Sequence, residues 1–158
     1  MSRGRKLALV LVGIVLGIQL IRPAKTNPPV DPQRELTANT QMPQQVSDSL
    51  HRACNDCHSY RTVWPWYSNV APISWVVTDD VNEGRRHLNL SDWSQYDPKR
   101  ADKKLNQICE EVKGNWMPLV SYKLMHPASR LTEHQRAEIC LWVGAERQKL
   151  TQSETASH

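Results

Sequence analysis

The sequence predicts an all-α protein. Apolar residues recur with the 3.6-residue period of an α-helix in four separate stretches, and no stretch alternates strictly between apolar and polar residues as a half-buried strand would. Helix start and stop signals bound these stretches. The 158 residues suffice for one domain with a modest core. We therefore expect a small domain of about four helices with long loops, preceded by an N-terminal apolar helix.

The N-terminal segment has the pattern of an export signal. The basic stretch MSRGRK precedes an apolar run at residues 7–21, which has the length of a signal-peptide core. Arg22 stands three residues before a cut after Ala24, where a small residue is needed for cleavage. We therefore expect residues 1–21 to be an uncleaved signal anchor in a bacterial inner membrane, with the domain facing the periplasm. The alternative is a cleaved signal peptide and a soluble periplasmic domain.

Two further segments differ in composition from the rest of the chain. Residues 22–43 contain five prolines among Thr, Asn and Gln, which is typical of an extended tether. Residues 151–158 are polar and are expected to form a disordered tail, so the domain is expected at residues 44–150. Residues 44–158 carry 14 basic and 14 acidic side chains, and the net charge of +4 arises before them. The charge therefore does not indicate a nucleic-acid-binding domain.

Local signals place the four helices of the domain. A proline stands at or just before three of the expected starts, and a Thr-x-x-Gln capping box marks the fourth. The starts are Pro43, Pro72, Pro98 with Asp97 as N-cap, and Thr132 with Gln135; the third helix should end at Gly114. The apolar faces expected to point inward are Val46, Leu50, Ala53 and Cys57; Ile73, Val76, Val77 and Val81; Ala101, Leu105, Ile108, Cys109 and Val112; and Ile139, Cys140, Trp142 and Val143.

The sequence Cys54-Asn55-Asp56-Cys57-His58 is the strongest functional signal. In a c-type haem site, two cysteine sulfurs form thioether bonds to the porphyrin and the adjacent histidine binds the iron. Attachment of this kind follows export, in agreement with the N-terminal segment. We expect one covalent haem c at Cys54 and Cys57, with His58 as the proximal iron ligand.

Other uses of two cysteines at this spacing fit less well. A structural zinc site needs further ligands at similar spacing, whereas Cys109 and Cys140 are isolated. A thioredoxin-like redox pair favours a βαβ context, which the pattern does not contain. A disulfide between Cys54 and Cys57 would strain a small loop and leave His58 without a role.

Four phrases extend the signal beyond this motif. They are CNDCHSYRTVWPWYSNVAPISWVV (54–77), VNEGRRHLNLSDW (81–93), ICEEVKGNWMPL (108–119) and HPASRLTEHQRAEICLW (126–142). In this order, over nearly all of residues 50–143, they resemble the family of small bacterial haem-binding domains related to cytochrome c. The resemblance implies a small cytochrome c-like helical fold, a covalently bound c-type haem and a domain that faces the periplasm. It implies no particular physiological role.

The sixth iron ligand is expected to be Met117. Cytochrome c domains use a methionine from such a loop, and the pair Met117-Pro118 resembles theirs. Methionine ligation raises the reduction potential relative to a second histidine. His126 is the alternative ligand, and core packing is the alternative role of Met117.

Further side chains are candidate haem contacts. Aromatic rings can cover the porphyrin or simply pack in the core, and arginines can pair with the haem propionates or lie on a solvated face. The aromatic candidates are Trp64, Trp66, Tyr67 and Trp75, and the basic ones are Arg61, Arg85 and Arg86. Cys109 and Cys140 lie on the inner faces of two predicted helices, and we expect a disulfide between them in an oxidising compartment, with free buried thiols as the alternative.

These observations together predict an electron-transfer protein. No Ser/His/Asp set or carboxylate pair indicates catalysis, so we expect no enzyme. Its partners would be unidentified redox proteins, and the membrane through the N-terminal helix. Two alternatives stay open: a haem-based sensor or small-ligand binder with an open sixth position, and a haem peroxidase with a distal acid–base group such as His126.

Overall fold

The computed structural model describes residues 2–156, and these residues contain helices and connecting segments but no strand. The prediction of an all-α fold is therefore confirmed for this part of the chain. The α-helices are α1 (Arg3–Ile18), α2 (Leu36–Asn39), α3 (Gln44–Ala53), α4 (Asn55–His58), α5 (Ile73–His87), α6 (Pro98–Lys113), α7 (Val120–Met125) and α8 (Glu133–Ala156). Short 3₁₀ helices lie at Pro32–Arg34, Trp66–Asn69, Leu90–Gln95 and Pro127–Ser129.

The apolar core lies where α3 and α6 pack against α8. Leu105 and Ile139 are fully buried there, and burying such a side chain contributes about 1.5–3 kcal/mol. A disulfide joins Cys109 on α6 to Cys140 on α8, which confirms the predicted bridge. The other buried apolar members of this core are Leu36, Val46, Leu50, Ala53, Leu90, Trp93, Ala101, Ile108, Val112, Leu131, Trp142 and Val143.

The predicted helix ends in this core are confirmed by their hydrogen bonds. The Asp97 carboxylate accepts the Arg100 N–H at 2.8 Å, which caps the start of α6. At the start of α8, the Thr132 N–H donates to the Gln135 side chain at 2.9 Å and the Gln135 N–H donates to the Thr132 hydroxyl at 3.2 Å. This reciprocal pair is the expected capping box.

Helix α5 buries a different face from the predicted one. Ile73 and Val76 are 48% and 58% exposed. The buried positions are instead Ser74, Thr78, Val81 and Gly84. Helix α5 packs against the short helix α4 and the turn Trp66–Asn69, and small side chains let these backbones approach closely. The expected inward face is therefore wrong except for Val81 and the half-buried Val77.

The end of the expected anchor and the expected tether after it both contact the domain. The Gln19 side-chain amide donates to the Ala71 carbonyl at 3.1 Å and accepts the Ala71 N–H at 2.9 Å. The Trp75 indole N–H donates to the Ile21 carbonyl at 2.8 Å. Further along, Leu36 is part of the apolar core. Between them, the Asn27 side chain donates to the Thr62 carbonyl at 2.8 Å, so residues 22–43 contact the domain at more than one point.

The two ends of the chain also bear on the predictions. Apolar side chains of α1 are exposed, including Leu7 and Leu16. Within residues 2–156, no helix combines the length and the apolar character that a membrane crossing needs. Helix α8 continues to Ala156, so most of the expected tail is helical. Residues 157–158 of that tail lie outside the described part of the chain.

Candidate functional site

The Cys54–His58 motif forms one tight turn at the end of α3. Cys54 leaves helical geometry, with φ −123° and ψ −33°, so α3 ends at Ala53. The N–H groups of Cys57 and His58 then both donate to the Cys54 carbonyl, at 3.2 and 2.9 Å. The expected continuous helix through Cys57 is therefore divided in two, and a single turn carries both sulfurs and the imidazole.

The orientation of His58 is set by two backbone carbonyls. Its Nδ1 atom lies 2.9 Å from the Gly84 oxygen and 3.1 Å from the Leu88 oxygen. A carbonyl oxygen only accepts, so Nδ1 carries the ring proton and Nε2 has a free lone pair. Burial lowers the pKa of His58, although both carbonyl hydrogen bonds act to raise it. The neutral imidazole is the form that binds a metal.

Gly84 makes this arrangement possible. A Cβ atom at this position would lie 2.5 Å from the Cys57 carbonyl oxygen and 3.0 Å from its carbon. Only glycine therefore allows α5 to come close enough to accept the His58 proton. This role of Gly84 was not predicted from the sequence, although a lone glycine inside a helical pattern was its signal.

Cys54 and Cys57 are free thiols. Burial, with a smaller contribution from Cys57, raises the pKa of Cys54 to about 12. Burial and the carboxylates of Asp80 and Asp56 raise the pKa of Cys57 to about 11, against a small lowering by Arg85. Both sulfurs are thus protonated at neutral pH, whereas a disulfide-exchanging pair needs an accessible thiolate. The redox-pair alternative therefore has no support from these pKa values.

The zinc alternative also lacks ligands. Within residues 2–156, no three His, Cys, Asp or Glu side chains are grouped so that they could hold a metal ion by themselves.

Met117 lies in the loop between α6 and α7 and is half-buried. The N–H groups of Trp116 and Met117 donate to the Glu111 carbonyl, at 3.1 and 3.3 Å. The Lys123 ammonium donates to the Asn115 side chain at 3.2 Å and closes the loop from the other side. This loop is therefore fixed at both ends by hydrogen bonds.

His126 belongs to a cluster that includes a motif residue. Its ring stacks on Tyr122, with centroids 4.2 Å apart and planes at 26°, and its Nδ1 atom lies 3.5 Å from the Tyr67 hydroxyl. The Tyr122 hydroxyl donates to the Asp56 carboxylate at 2.6 Å. Burial and this hydrogen bond raise the pKa of Tyr122. The pairing of Asp56 with Tyr122 was not predicted from the sequence, because it joins residues 66 positions apart.

A comparison with protein families identifies the family of the chain. The model of the haem-binding domain family matches residues 13–145. The chain belongs to the haem-binding domain family. No curated protein and no solved structure matches the chain significantly. Membership indicates haem as the cofactor, with iron as its metal, and the matched range includes part of the N-terminal segment that lies along the domain.

The residues around the motif fit such a cofactor. The Trp64 indole N–H is buried and has no hydrogen-bond partner within residues 2–156. The preceding residue, Val63, donates its N–H to the Asp56 carboxylate at 2.9 Å, so Trp64 lies next to the motif. A buried N–H without an acceptor is unfavourable, and the propionates of haem are acceptors. The haem-binding domain thus offers two thiols, a free imidazole nitrogen and a free indole N–H in one region.

The other candidate contacts have protein partners. Arg61 donates to the Glu35 carboxylate at 2.8 Å, and Arg86 pairs with Glu83. Arg85 donates to the carbonyls of Ser59 and Thr26, both at 2.8 Å, and so links the N-terminal segment to the residue that follows the motif. The haem-binding domain therefore uses Arg85 as a structural link. Of the remaining aromatic candidates, Trp66 is exposed and Trp75 contacts the N-terminal segment.

Proposed function

We propose that this protein is a c-type cytochrome that carries one haem and transfers electrons. In this proposal Cys54 and Cys57 hold the haem through thioether bonds and His58 is the proximal iron ligand. The observation that carries the proposal is the His58 geometry: two carbonyls hold Nδ1 on the same turn that presents both free thiols. A ring held in this way keeps its tautomer and direction, as metal-binding histidines require.

The attachment chemistry suits neutral cysteines. Each S–H group would add across a vinyl double bond of the haem: a sulfur–carbon and a carbon–hydrogen bond would form, while the S–H bond and the π bond would break. No electron acceptor is consumed in this addition. The bound haem supplies the iron that changes oxidation state, and the chain's part is to fix its position and to limit access of water.

We propose Met117 as the sixth ligand. Its loop is fastened at both ends, which suits a ligand that must keep its distance from the iron in both oxidation states. Two protein ligands leave no open position for a substrate, and this is why we propose electron transfer without catalysis of its own. A thioether ligand would also hold the reduction potential above that of a site with two histidines.

We further propose that residues 1–21 direct the chain to the bacterial inner membrane and that the domain faces the periplasm. The basic residues Arg3, Arg5 and Lys6 at the start of α1 and the exposed apolar side chains that follow them support association with a membrane. The Cys109–Cys140 disulfide suits an oxidising compartment. Fractionation tests this: the full chain should stay with membranes after a high-salt wash, because apolar contacts are not screened by salt. Release by salt would contradict it.

The test of the cofactor proposal is haem that survives denaturing electrophoresis. The full chain, produced in a bacterium that matures c-type cytochromes, should keep its haem under these conditions. Cys54→Ala and Cys57→Ala should weaken or abolish the retained haem, whereas the matched pair Cys109→Ala with Cys140→Ala should keep it. A wild-type protein without retained haem would overturn the proposal. Spectra should show six-coordinate low-spin iron; five-coordinate high-spin iron would instead favour a sensor or a peroxidase.

A further inference from the structure

We propose that Tyr122 is a positioning residue that holds the Met117 loop against the haem-attachment turn through its hydrogen bond to Asp56. The inference rests on the proposed function of Met117 as sixth ligand. It assigns to Tyr122, and to the His126 ring stacked on it, a role in keeping that ligand on the iron.

The Asp56 end of this link is rigid. Asp56 lies inside the attachment motif, between the two cysteines. One carboxylate oxygen accepts the Val63 N–H at 2.9 Å and the other accepts the Tyr122 hydroxyl at 2.6 Å. The Thr62 hydroxyl also donates to the Asp56 backbone carbonyl, at 2.7 Å. The Val63 N–H therefore holds the Asp56 carboxylate and the Thr62 hydroxyl holds the Asp56 backbone. Asp56 should stay in place if α7 moves away with Tyr122.

The Tyr122 end of the link is restrained as well. Its ring is half-buried and stacks on His126 at 4.2 Å, and the Tyr67 hydroxyl lies 3.5 Å from the His126 Nδ1 atom. Among residues 2–156, the Tyr122–Asp56 contact is the side-chain hydrogen bond that joins α7 to α4. Because a carboxylate accepts it and both side chains are half-buried, it is about twice as strong as a hydrogen bond between two neutral groups.

The position of Tyr122 in the chain connects this link to the proposed ligand. Met117 precedes Tyr122 by five residues, and Leu119 is the N-cap of α7. At its other end, the loop is held by the Glu111 carbonyl on α6. Opening the loop far enough to withdraw Met117 would therefore move α7 and break the Tyr122–Asp56 hydrogen bond. The link should lower the population of the open loop.

The test uses the full haem-loaded protein and measures the rate at which cyanide binds the oxidised iron. Cyanide needs the sixth position, so its rate reports how often the sixth ligand is away. Tyr122→Phe keeps the ring that stacks on His126 and removes only the hydroxyl. Losing a hydrogen bond to a charged group should raise the cyanide rate about tenfold or more. The control is Tyr60→Phe, since the Tyr60 hydroxyl makes no hydrogen bond within the described residues, and its rate should equal that of the wild type.

A second variant keeps the inference testable if Tyr122→Phe is unstable. Asp56→Asn keeps an acceptor for Val63 but removes the charge, and should raise the cyanide rate by a smaller factor. The double variant should be no faster than Tyr122→Phe alone, because both changes remove one interaction. Independent, multiplying effects would overturn the inference.

Met117→Ala distinguishes a failure of Met117 as the sixth ligand from a failure of the inference about Tyr122. If it opens the iron to cyanide while Tyr122→Phe binds cyanide at the wild-type rate, Met117 is the ligand and the inference about Tyr122 is wrong. If Met117→Ala binds cyanide at the wild-type rate, Met117 is not the ligand, and both the proposed ligand and this inference are wrong.

Discussion

The core between α6 and α8 and the site between α4 and α5 are held together by different means. In the core, large apolar side chains pack together and the Cys109–Cys140 disulfide joins the helices. At the site, the contacts are small or polar: Gly84 lets two backbones meet, and carbonyl groups hold His58. A core of packed apolar side chains tolerates modest changes in side-chain shape, whereas a site built on close contacts between backbones does not. The comparison therefore predicts separate consequences for damage to each region.

Removal of the disulfide should have the largest effect on stability and none on cofactor attachment. Cys109→Ser with Cys140→Ser deletes a cross-link over 31 residues, which is typically worth about 3–4 kcal/mol. Denaturant unfolding should show this loss. Haem retained after denaturing electrophoresis should be unchanged, and its disappearance would mean that the core and the site are not independent.

Gly84→Ala should lower the free energy of unfolding by about 2–3 kcal/mol. The added Cβ would lie 2.5 Å from the Cys57 carbonyl oxygen, so α4 and α5 would have to separate. Haem content and denaturant unfolding measure the effect. Gly144→Ala on α8 is the matched control, because a Cβ there meets no atom within 4 Å. It should leave the stability unchanged or raise it by up to about 1 kcal/mol. Equal behaviour of the two variants would contradict the account of α5.

Two tryptophans with buried indole N–H groups, one in each region, allow a direct comparison. The indole N–H groups of Trp64, near the motif, and Trp142, in the core, both lack hydrogen-bond partners within residues 2–156. If Trp64 donates to a haem propionate, it stabilises the ionised carboxylate and lowers its pKa. Trp64→Phe should then shift the pH dependence of the haem reduction potential to higher pH, while Trp142→Phe should leave that dependence unchanged and change only the stability. An unchanged pH dependence in Trp64→Phe would show that its N–H does not reach a propionate.

The smallest effect is expected at an ion pair on the surface of the core. The Arg147 guanidinium donates to Asp102 at 2.7 Å, and this hydrogen bond lowers the pKa of Asp102. The pair therefore stabilises the fold at neutral pH, and the contribution is lost as the pH falls through the lowered pKa of Asp102. Both side chains are more than a third exposed. Asp102→Asn should therefore lower the free energy of unfolding by less than about 1 kcal/mol at pH 7 and should not change it at low pH. Unfolding at both pH values tests this, and an equal cost at both would contradict it.

The same comparison explains what the sequence could predict. In the core, helical periodicity and capping residues such as Asp97 and Thr132 act locally, and the predicted bridge Cys109–Cys140 is confirmed. Around the site, local pattern failed for α5, because close approach to α4 selects small residues over the apolar ones at Ile73 and Val76. Residue types at fixed spacing singled out the Cys54–His58 motif and predicted haem as the cofactor, which the family match supports.

Contacts between residues far apart in the chain could not be predicted from local sequence patterns. The prolines of residues 22–43 are typical of a tether, yet the hydrogen bond from Asn27 to the Thr62 carbonyl and the burial of Leu36 bring that region onto the domain. The partners of His58 and Asp56 also lie far along the chain, at Gly84 and Tyr122. A pattern confined to one segment carries no signal for such pairs.

The most direct test of the account is mass spectrometry of the mature protein, digested without reduction. It determines the covalent state of each of the four cysteines. The account predicts one haem on the peptide that contains Cys54 and Cys57, and a disulfide between the peptides that contain Cys109 and Cys140. A Cys54–Cys57 disulfide, or a Cys54–Cys57 peptide without added haem, would contradict it.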